Sequence, residues 1–291
     1  MNSKIKKIII GSAQFTNNYG VSNTFGVTGK EEVKNIIALA NENGIKTVDT
    51  AIGYGNSQEA LGNSEINDWN IITKVPPLSE KSKADIHIKN LISDTLDILK
   101  INKLNCILLH RPLDLLGSDG KLIYQTLLDL KNEKITDKIG FSIYNPSELS
   151  LLLENFKPDI VQIPYNIFDN RFESTGWLSR LKKDNIKVHV RSVFLQGLLL
   201  MHRNDRPKYF DRWNQHFKKY DQFLSDKRLT PLEACLSYVF QNKDIDKIII
   251  GVNSKNQLKE LIEYCFLDMV RIKDEFVNLD TELINPSLWK I

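Results

Sequence analysis

Four side chains with complementary chemistry lie in the first 110 residues of the chain. Asp49, Lys74 and His110 each end a short apolar run, and Tyr54 follows the first of these runs in a glycine-bounded loop. A tyrosine hydroxyl is a weak acid at neutral pH, with a pKa near ~10. A lysine cation beside it makes it a better proton donor, and an aspartate keeps that lysine charged and in place. A histidine can hydrogen-bond the oxygen that receives the proton. The set therefore predicts proton donation to a carbonyl that is receiving hydride.

Each of these residues also has a purely structural interpretation. Asp49 would cap the next segment, Tyr54 would be a loop aromatic, Lys74 a solvated loop lysine and His110 a hydrogen-bonded core histidine. Charged residues at the ends of consecutive buried strands are costly unless the groups pair or do chemistry. Taken together, the four residues favour the catalytic interpretation.

Eight short runs rich in isoleucine and valine position these residues. Continuous apolar runs of this length are typical of strands buried on both faces, as in a parallel sheet. The runs are residues 7–10, 45–49, 69–74, 104–110, 138–142, 159–163, 187–191 and 247–250.

Amphipathic patterns separate these runs and predict helices. Thr230 precedes Pro231, and Glu233 follows three residues after Thr230, which together form a typical helix start. The other helical patterns cover residues 31–43, 88–99, 122–130, 147–156, 178–184 and 256–266.

The alternation of strands and helices predicts right-handed βαβ units and a parallel sheet. Eight strands in a chain of 291 residues favour a closed α/β fold, the (β/α)8 TIM barrel, over an open doubly wound sheet. No G-x-G-x-x-G turn follows the first run, which argues against a Rossmann domain. We predict a single barrel domain over residues 1–291, with an extra helical insertion at about 203–228 and a C-terminal tail at about 268–291.

Charge and cysteine content narrow the class of protein. The formal net charge is +3 and the basic residues are not clustered, so a nucleic-acid surface is not predicted. No stretch approaches the ~18 apolar residues of a membrane span. The three cysteines lie far apart, without the spacing of metal ligands. We therefore predict a cytoplasmic protein without a bound metal that acts on a small-molecule carbonyl substrate. The sequence predicts no particular oligomeric state.

The motifs around the four residues resemble those of the aldo-keto reductase family. The segment GIKTVDTAIGYGNSQEALG (residues 44–62) is similar to the family signature, including the five-residue offset from Asp49 to Tyr54. ITKV around Lys74 and ILLHRP around His110 match the lysine and histidine motifs of the family. The resemblance runs from about residue 8 to about residue 266, and four motifs in the same order make it specific.

The resemblance implies a barrel reductase that binds the nicotinamide of NADPH at the barrel mouth and passes hydride from nicotinamide C4 to a carbonyl. In that scheme Tyr54 protonates the carbonyl oxygen, Lys74 and Asp49 make Tyr54 a better proton donor, and His110 orients the substrate. The matching cofactor contacts are Ser142 and Gln162 for the carboxamide, Ser192, Phe194, Gln196 and Gly197 for the pyrophosphate, and Gly251, Asn253, Ser254, Lys255, Gln257 and Glu260 for the adenosine phosphate end.

The chain departs from the family pattern at three positions. Ile143 stands where the family usually has asparagine, so one carboxamide hydrogen bond is missing or comes from Asn145. Arg191 stands where an aromatic ring usually stacks on the nicotinamide; a guanidinium plane also stacks, but its charge disfavours the oxidised ring. Gln257 stands where an arginine usually holds the 2′-phosphate, and Lys255 is the nearest basic substitute. We expect NADPH as cofactor with a weakened preference, and NADH as the alternative.

Four further segments are similar to a bacterial subgroup associated with surface-polysaccharide or sugar biosynthesis. They are GSAQFTNNYGVSN, GFSIYNP, VQIPYNIFDNR and VRSVFLQGLLL. This resemblance implies a sugar-derived carbonyl substrate. We expect the loops at residues 16–25, 113–120 and 168–177 to set specificity, since loops do so in this fold.

Two other functions stay open on the sequence alone. A regulatory subunit on the same fold would bind nucleotide with little turnover, although such a protein need not keep all four catalytic side chains. A barrel lyase would use Lys74 as a Schiff base, which requires a neutral and desolvated lysine. Asp49 nearby favours the charged form of that lysine instead.

Overall fold

Eight parallel strands close into a barrel in sequence order, because β1 pairs with β2 on one side and with β8 on the other. The computed structural model describes residues 2–15, 18–24, 26–78 and 83–291. The predicted (β/α)8 TIM barrel is confirmed. Its strands are β1 (Ile8–Gly11), β2 (Thr47–Asp49), β3 (Asn70–Val75), β4 (Leu104–Leu109), β5 (Thr136–Ser142), β6 (Ile160–Pro164), β7 (Lys187–Arg191) and β8 (Lys247–Gly251).

Side chains fill the inside of the barrel, as the apolar strands require. Burying one isoleucine or leucine side chain contributes about 1.5–3 kcal/mol. Gly140 on β5 allows a close approach, because a Cβ at that position would lie 2.1 Å from the Ile160 carbonyl oxygen. The interior cluster consists of Ile9, Ile72, Cys106, Leu108, Ile160 and Ile249.

A helix follows each strand and covers the outside of the barrel. The α-helices are α1 (Lys30–Glu42), α2 (Ser57–Gly62), α3 (Ala84–Leu99), α4 (Gly120–Asn132), α5 (Pro146–Leu152), α6 (Arg171–Ser174), α7 (Trp177–Lys183), α8 (Asn214–Lys227), α9 (Pro231–Gln241), α10 (Lys255–Cys265) and α11 (Thr281–Ile284). Short 3-10 helices cover Ile5–Lys7, Pro112–Leu116, Leu198–Leu200, Arg203–Asp205, Lys208–Trp213 and Pro286–Leu288.

Capping boxes begin two of the helices near the barrel mouth. At α9, Glu233 N donates to Thr230 Oγ1 at 3.2 Å and Thr230 N donates to Glu233 Oε2 at 2.7 Å, as the sequence predicts. At α5, Asn145 N donates to Glu148 Oε1 at 2.9 Å. An N-cap of this kind stabilises a helix by about 0.5–2 kcal/mol.

Residues 203–228, the predicted insertion, contain α8 and the short turns before it. The C-terminal tail packs on the aromatic face of this segment. The rings of Phe276 and Phe223 lie 5.0 Å apart, and those of Trp289 and Phe210 lie 4.9 Å apart. The regularly spaced aromatic residues of the insertion therefore form the surface on which the C-terminal tail packs.

Predicted and observed helices differ at their ends. Helix α3 begins at Ala84 rather than at residue 88, and Ala84 is fully buried. Helix α5 ends at Leu152 rather than at residue 156. Phe156 has the apolar character that a continued helix would show, but it packs from the following turn on Tyr124, with ring centroids 5.1 Å apart.

Candidate active site

A cavity of about 410 Å³ lies at the end of the barrel where the strands finish. The carboxyl ends of parallel barrel strands meet at one face, so side chains that are distant in sequence come together there. The four predicted catalytic residues, Asp49, Tyr54, Lys74 and His110, all line this cavity.

Asp49 and Lys74 form a buried ion pair in the cavity wall. Their side chains are 5% and 1% exposed. Lys74 Nζ donates to Asp49 Oδ1, and also to the Thr50 carbonyl oxygen at 3.1 Å. Burial lowers the pKa of Lys74, but its electrostatic interactions with Asp49 and Tyr54 and its hydrogen bond to Asp49 outweigh burial and leave the pKa of Lys74 above its ordinary value. Lys74 is therefore held as an ammonium ion.

Tyr54 lies beside this ion pair. The Lys74 Nζ is 5.1 Å from the centroid of the Tyr54 ring. The ring also meets the His110 ring edge-on, with centroids 6.1 Å apart and planes at 82°. The loop that carries Tyr54 is anchored, because Ser57 N donates to the Tyr54 carbonyl oxygen at 3.1 Å and Ser57 Oγ donates to the Ser12 carbonyl oxygen at 2.8 Å.

His110 is neutral at neutral pH. Burial, followed by the charges of Lys74 and Arg191, lowers the pKa of His110 to about 4. A neutral imidazole carries one donor nitrogen and one acceptor nitrogen. His110 is therefore suited to hydrogen-bond a substrate oxygen without adding a charge.

Ser142 and Gln162 sit side by side on β5 and β6, where they are partners in the register of the sheet. Gln162 Nε2 donates to Asp49 Oδ2 at 2.7 Å. Because a carboxylate only accepts hydrogen bonds, this contact fixes the amide orientation and leaves Gln162 Oε1 as an acceptor. Gln162 Oε1 and Ser142 Oγ are both buried without a hydrogen-bond partner. Buried polar atoms of this kind call for a ligand or a water.

The turn after β7 has an unusual backbone. Ser192, Leu195 and Gln196 have φ values of 59°, 49° and 54°, and Gly197 has a φ of 89°. Non-glycine residues in such conformations cost about 1–3 kcal/mol each, so the surroundings must hold them. Val21 N does so by donating to the Gln196 carbonyl oxygen at 3.0 Å.

Residues 18–24 cross this turn at close range. A Cβ on Gly197 would lie only 1.7 Å from Ser22 Oγ, so glycine is required at this crossing. From the other side, Asn166 Nδ2 donates to the Ser192 carbonyl oxygen at 3.0 Å. Leu195, Gln196 and Gly197 are three consecutive residues with positive φ, and Gln196 and Gly197 line the cavity wall where the resemblance implies the pyrophosphate contact.

Backbone N–H groups at the start of α10 are already hydrogen-bonded to side chains of the protein. Gln257 N donates to Ser254 Oγ at 3.2 Å, and Asn253 N donates to Gln257 Oε1 at 2.7 Å. Lys255 N donates to Oε1 of Glu32, on α1, at 2.6 Å. A carboxylate therefore already occupies this helix N-terminus, where the helix dipole favours negative charge.

All but three of the predicted site residues line the cavity. Gln162 is bound to Asp49, Ser254 caps α10, and the side chain of Lys255 is exposed. The predicted residues that do line the cavity are Asp49, Tyr54, Lys74, His110, Ser142, Arg191, Ser192, Phe194, Gln196, Gly197, Gly251, Asn253, Gln257 and Glu260.

Gln14 and Tyr144 line the cavity although neither was predicted as a site residue, and Tyr19 lines it from the predicted specificity loop at residues 16–25. Gln14 follows the end of β1 by three residues and Tyr144 follows the end of β5 by two. The rule that functional residues follow strand ends would have found both. Tyr19 follows no strand end, and its signal is its place in the predicted specificity loop at residues 16–25.

Of the three predicted specificity loops, only the first contributes described residues to the cavity wall. Tyr19, Gly20, Ser22 and Asn23 of that loop line it, while Thr16, Asn17 and Phe25 lie outside the described residues. Residues 113–120 and 168–177 are described and do not line it.

Within the described ranges, no group of three or more histidine, cysteine, aspartate or glutamate side chains could hold a metal ion. Among the helices of the described chain, none has both the length and the apolar character needed to cross a membrane.

The chain belongs to the aldo/keto reductase family, since the model of that family matches residues 7–283. The predicted family resemblance is thereby confirmed. Members are oxidoreductases that act on carbonyl groups and generally use nicotinamide cofactors. Comparison with curated proteins gives no match.

Solved structures share the fold. The holo form of the aldo-keto reductase AKR11C1 from Bacillus halodurans is 19% identical with a TM-score of 0.74, over 91% of this chain and 88% of that chain. Its apo form is 19% identical with a TM-score of 0.68, over 89% and 88%. The PA4992 protein of Pseudomonas aeruginosa is 20% identical with a TM-score of 0.65, over 89% of each chain. At these identities the likeness concerns the fold alone.

Proposed function

We propose that the chain reduces an aldehyde or a ketone to an alcohol with NADPH or NADH. The observation that carries this proposal is the buried Asp49–Lys74 ion pair beneath Tyr54, with His110 against the same ring. Such a group of charges around one tyrosine in a cavity is an arrangement for acid catalysis.

The residues around the cavity fit a nicotinamide nucleotide. Ser142 lines the cavity, whereas its register partner Gln162 does not. Their unpartnered atoms, Ser142 Oγ and Gln162 Oε1, match the donor and acceptor groups of a carboxamide. The turn from Ser192 to Gly197 would hold the pyrophosphate, and Asn253 and Gln257 would border the adenosine end. When bound, this cofactor supplies the hydride that the substrate carbon receives.

The side chains of the chain manage the proton. Tyr54 donates it from its hydroxyl to the carbonyl oxygen as negative charge develops there. Lys74 stabilises the tyrosine oxygen after the proton leaves, and Asp49 keeps Lys74 charged and oriented. Neutral His110 hydrogen-bonds the substrate oxygen and so orients the carbonyl towards Tyr54.

A single-turnover experiment separates an enzyme from a regulatory subunit on the same fold. We expect para-nitrobenzaldehyde to oxidise NADPH bound to the chain, at a rate that saturates with aldehyde. Loss of the nicotinamide absorbance in a stopped-flow instrument measures this rate. Tight nucleotide binding without oxidation by this or by aliphatic aldehydes would favour the regulatory subunit.

The lyase alternative needs a neutral Lys74. The raised pKa of Lys74 and its ion pair with Asp49 oppose this, because a protonated amine cannot attack a carbonyl. Trapping with borohydride in the presence of substrate detects a Schiff base if one forms.

We expect NADPH to be preferred over NADH by much less than a hundredfold. A 2′-phosphate carries close to two negative charges, and a bidentate arginine is its usual partner. Gln257 is neutral, and one lost charge-assisted hydrogen bond, worth roughly 1.5–3 kcal/mol, corresponds to about one to two decades of affinity. The Glu32 carboxylate at the start of α10 further opposes a second anion. Fluorescence titration with both nucleotides measures the ratio.

Variants at this helix start test the reasons for the weak preference. Gln257→Arg and Glu32→Gln should each raise the NADPH preference, and Lys255→Ala should lower it. Glu31→Gln is a matched control, because Glu31 lies in the same turn of α1 but pairs with Lys34 instead. A preference above a thousandfold in the unaltered chain would place the phosphate on basic residues elsewhere.

The substrate is proposed from resemblance alone. The segments around Gln14, Tyr144, Asn166 and Arg191 are similar to a bacterial subgroup associated with polysaccharide and sugar biosynthesis. They favour a sugar-derived carbonyl. A panel of aldoses and ketoses, assayed beside aliphatic aldehydes of equal length, tests this proposal.

A further inference from the structure

Arg191 is held in one orientation in the wall of the cavity. It ends β7, and its guanidinium carbon lies 4.3 Å from the centroid of the Tyr144 ring. Its Nη2 donates to the Ile143 carbonyl oxygen at 3.2 Å, and its Nη1 donates to Ser192 Oγ at 3.3 Å. A stacked guanidinium with two edge hydrogen bonds is a fixed group rather than a mobile surface chain.

This cation lacks a counter-ion among the described residues. No described carboxylate oxygen lies within 4.0 Å of an Arg191 nitrogen, whereas Lys74, which lines the same cavity, is paired with Asp49. The Glu148 carboxylate on α5 interacts electrostatically with Arg191 but forms no ion pair with it, and it accepts the Asn145 amide instead. A half-buried charge without a partner is costly, so an unneutralised one beside a cavity suits a ligand that brings the opposite charge.

Arg191 keeps unused hydrogen-bond donors. A guanidinium carries five N–H groups in a planar fork. Two of them make the contacts to Ile143 and Ser192, which leaves three for a ligand. The charge also reaches the catalytic side chains, because it contributes to the lowered pKa of His110 after burial and the charge of Lys74. Arg191 also lines the same cavity as Tyr54 and His110, where the carbonyl must sit.

Arg191 stands where the resemblance implied stacking on the nicotinamide, but its guanidinium already stacks on Tyr144. We propose that Arg191 instead binds an anionic group of the substrate, a carboxylate or a phosphate, and that the chain therefore acts on anionic aldehydes or ketones. This inference rests on the proposed carbonyl reduction. The planar fork of a guanidinium matches both anions with two parallel hydrogen bonds. With the anion on Arg191, the other end of the substrate extends towards Tyr54 and His110.

Matched pairs of aldehydes test the charge requirement. Para-formylbenzoate and its methyl ester have nearly the same shape but differ by one charge, and glyceraldehyde phosphate and glyceraldehyde form the phosphate pair. For each pair we compare the ratio of kcat/KM for the anion to kcat/KM for the neutral partner. A general effect of a substitution on the barrel or on the cofactor cancels in this ratio.

We expect the unaltered chain to prefer the anionic partner, and Arg191→Gln to lower the ratio by about ten- to hundredfold, as loss of a charge-assisted contact predicts. Arg191→Lys should keep part of the ratio, because it keeps the charge without the fork. Arg180→Gln is the matched control, since Arg180 stacks at 4.6 Å on Trp177, outside the cavity wall. The pair with the larger change distinguishes carboxylate from phosphate.

Equal losses for both members of each pair in Arg191→Gln would overturn the inference and leave Arg191 with a purely structural role. If the unaltered chain reduces neither member of any pair and also fails to oxidise NADPH with para-nitrobenzaldehyde and with aliphatic aldehydes, the proposed function fails first. Calorimetric titration of para-formylbenzoate and glyceraldehyde phosphate then tests Arg191 directly. Binding that is at least tenfold weaker in Arg191→Gln than in Arg180→Gln supports the inference, and equal binding overturns it.

Discussion

Replacing Tyr54 with phenylalanine should reduce kcat for carbonyl reduction by about two to four decades, the usual contribution of a positioned general acid. The substitution removes only the hydroxyl, so the ring keeps its contacts with Lys74 and His110. In the proposed mechanism the hydroxyl acts in the transition state and is not a cofactor contact. The Kd for NADPH should therefore change by no more than about twofold.

Steady-state kinetics and fluorescence titration of the same preparation measure both quantities. Tyr124→Phe is a suitable control, because it removes an exposed hydroxyl that bonds the Lys157 carbonyl oxygen far from the cavity wall. A loss of only a few-fold in kcat/KM for Tyr54→Phe would remove Tyr54 from the mechanism.

Lys74→Met should be as severe as Tyr54→Phe, and Asp49→Asn should be milder. In the proposed mechanism Lys74 stabilises the tyrosine oxygen directly, whereas Asp49 acts through its ion pair with Lys74. We expect about two to four decades of loss in kcat for Lys74→Met, and about one to two decades for Asp49→Asn, the size of one charge-assisted hydrogen bond. A larger loss in Asp49→Asn than in Lys74→Met would reverse this hierarchy.

Folding must be measured beside activity in these variants, because each leaves one buried charge unpaired. The double variant Asp49→Asn with Lys74→Met removes both charges and separates a chemical defect from a packing defect. Lys46→Met is the matched control, since it breaks an exposed ion pair with Asp68. Circular dichroism melts and kcat values from the same samples complete the comparison.

Much of the fold could be predicted because its signals are local. Apolar runs mark buried strands, and Thr230 with Glu233 marks a helix start that the structure reproduces. The ends of the helices were harder to predict. Phe156 continues the apolar pattern of α5, but it is apolar because it packs on Tyr124 beyond the end of that helix. The sequence pattern alone does not distinguish a longer helix from such a tertiary contact.

The candidate site also has a part that local signals predict and a part that they do not. Asp49, Lys74 and His110 stand at or just after strand ends, so the barrel rule and the residue types predict that they meet. Contacts between distant segments carry no such signal. Glu32 reaches the start of α10 across the fold, and Tyr19 enters the cavity from a loop. These contacts depend on how the chain packs, which single-residue chemistry does not specify.

Asp49 has a place in the barrel that reaches beyond acid catalysis. One oxygen meets Lys74 on β3, and the other meets Gln162 on β6, across the barrel from β2. Removing one partner of a buried ion pair costs about 3–5 kcal/mol, against a typical total of about 5–15 kcal/mol for a folded domain. An engineer who wishes to change the substrate of this barrel should therefore vary the loops at its mouth and keep Asp49, Lys74 and Gln162, whose hydrogen bonds link β2, β3 and β6 inside the barrel.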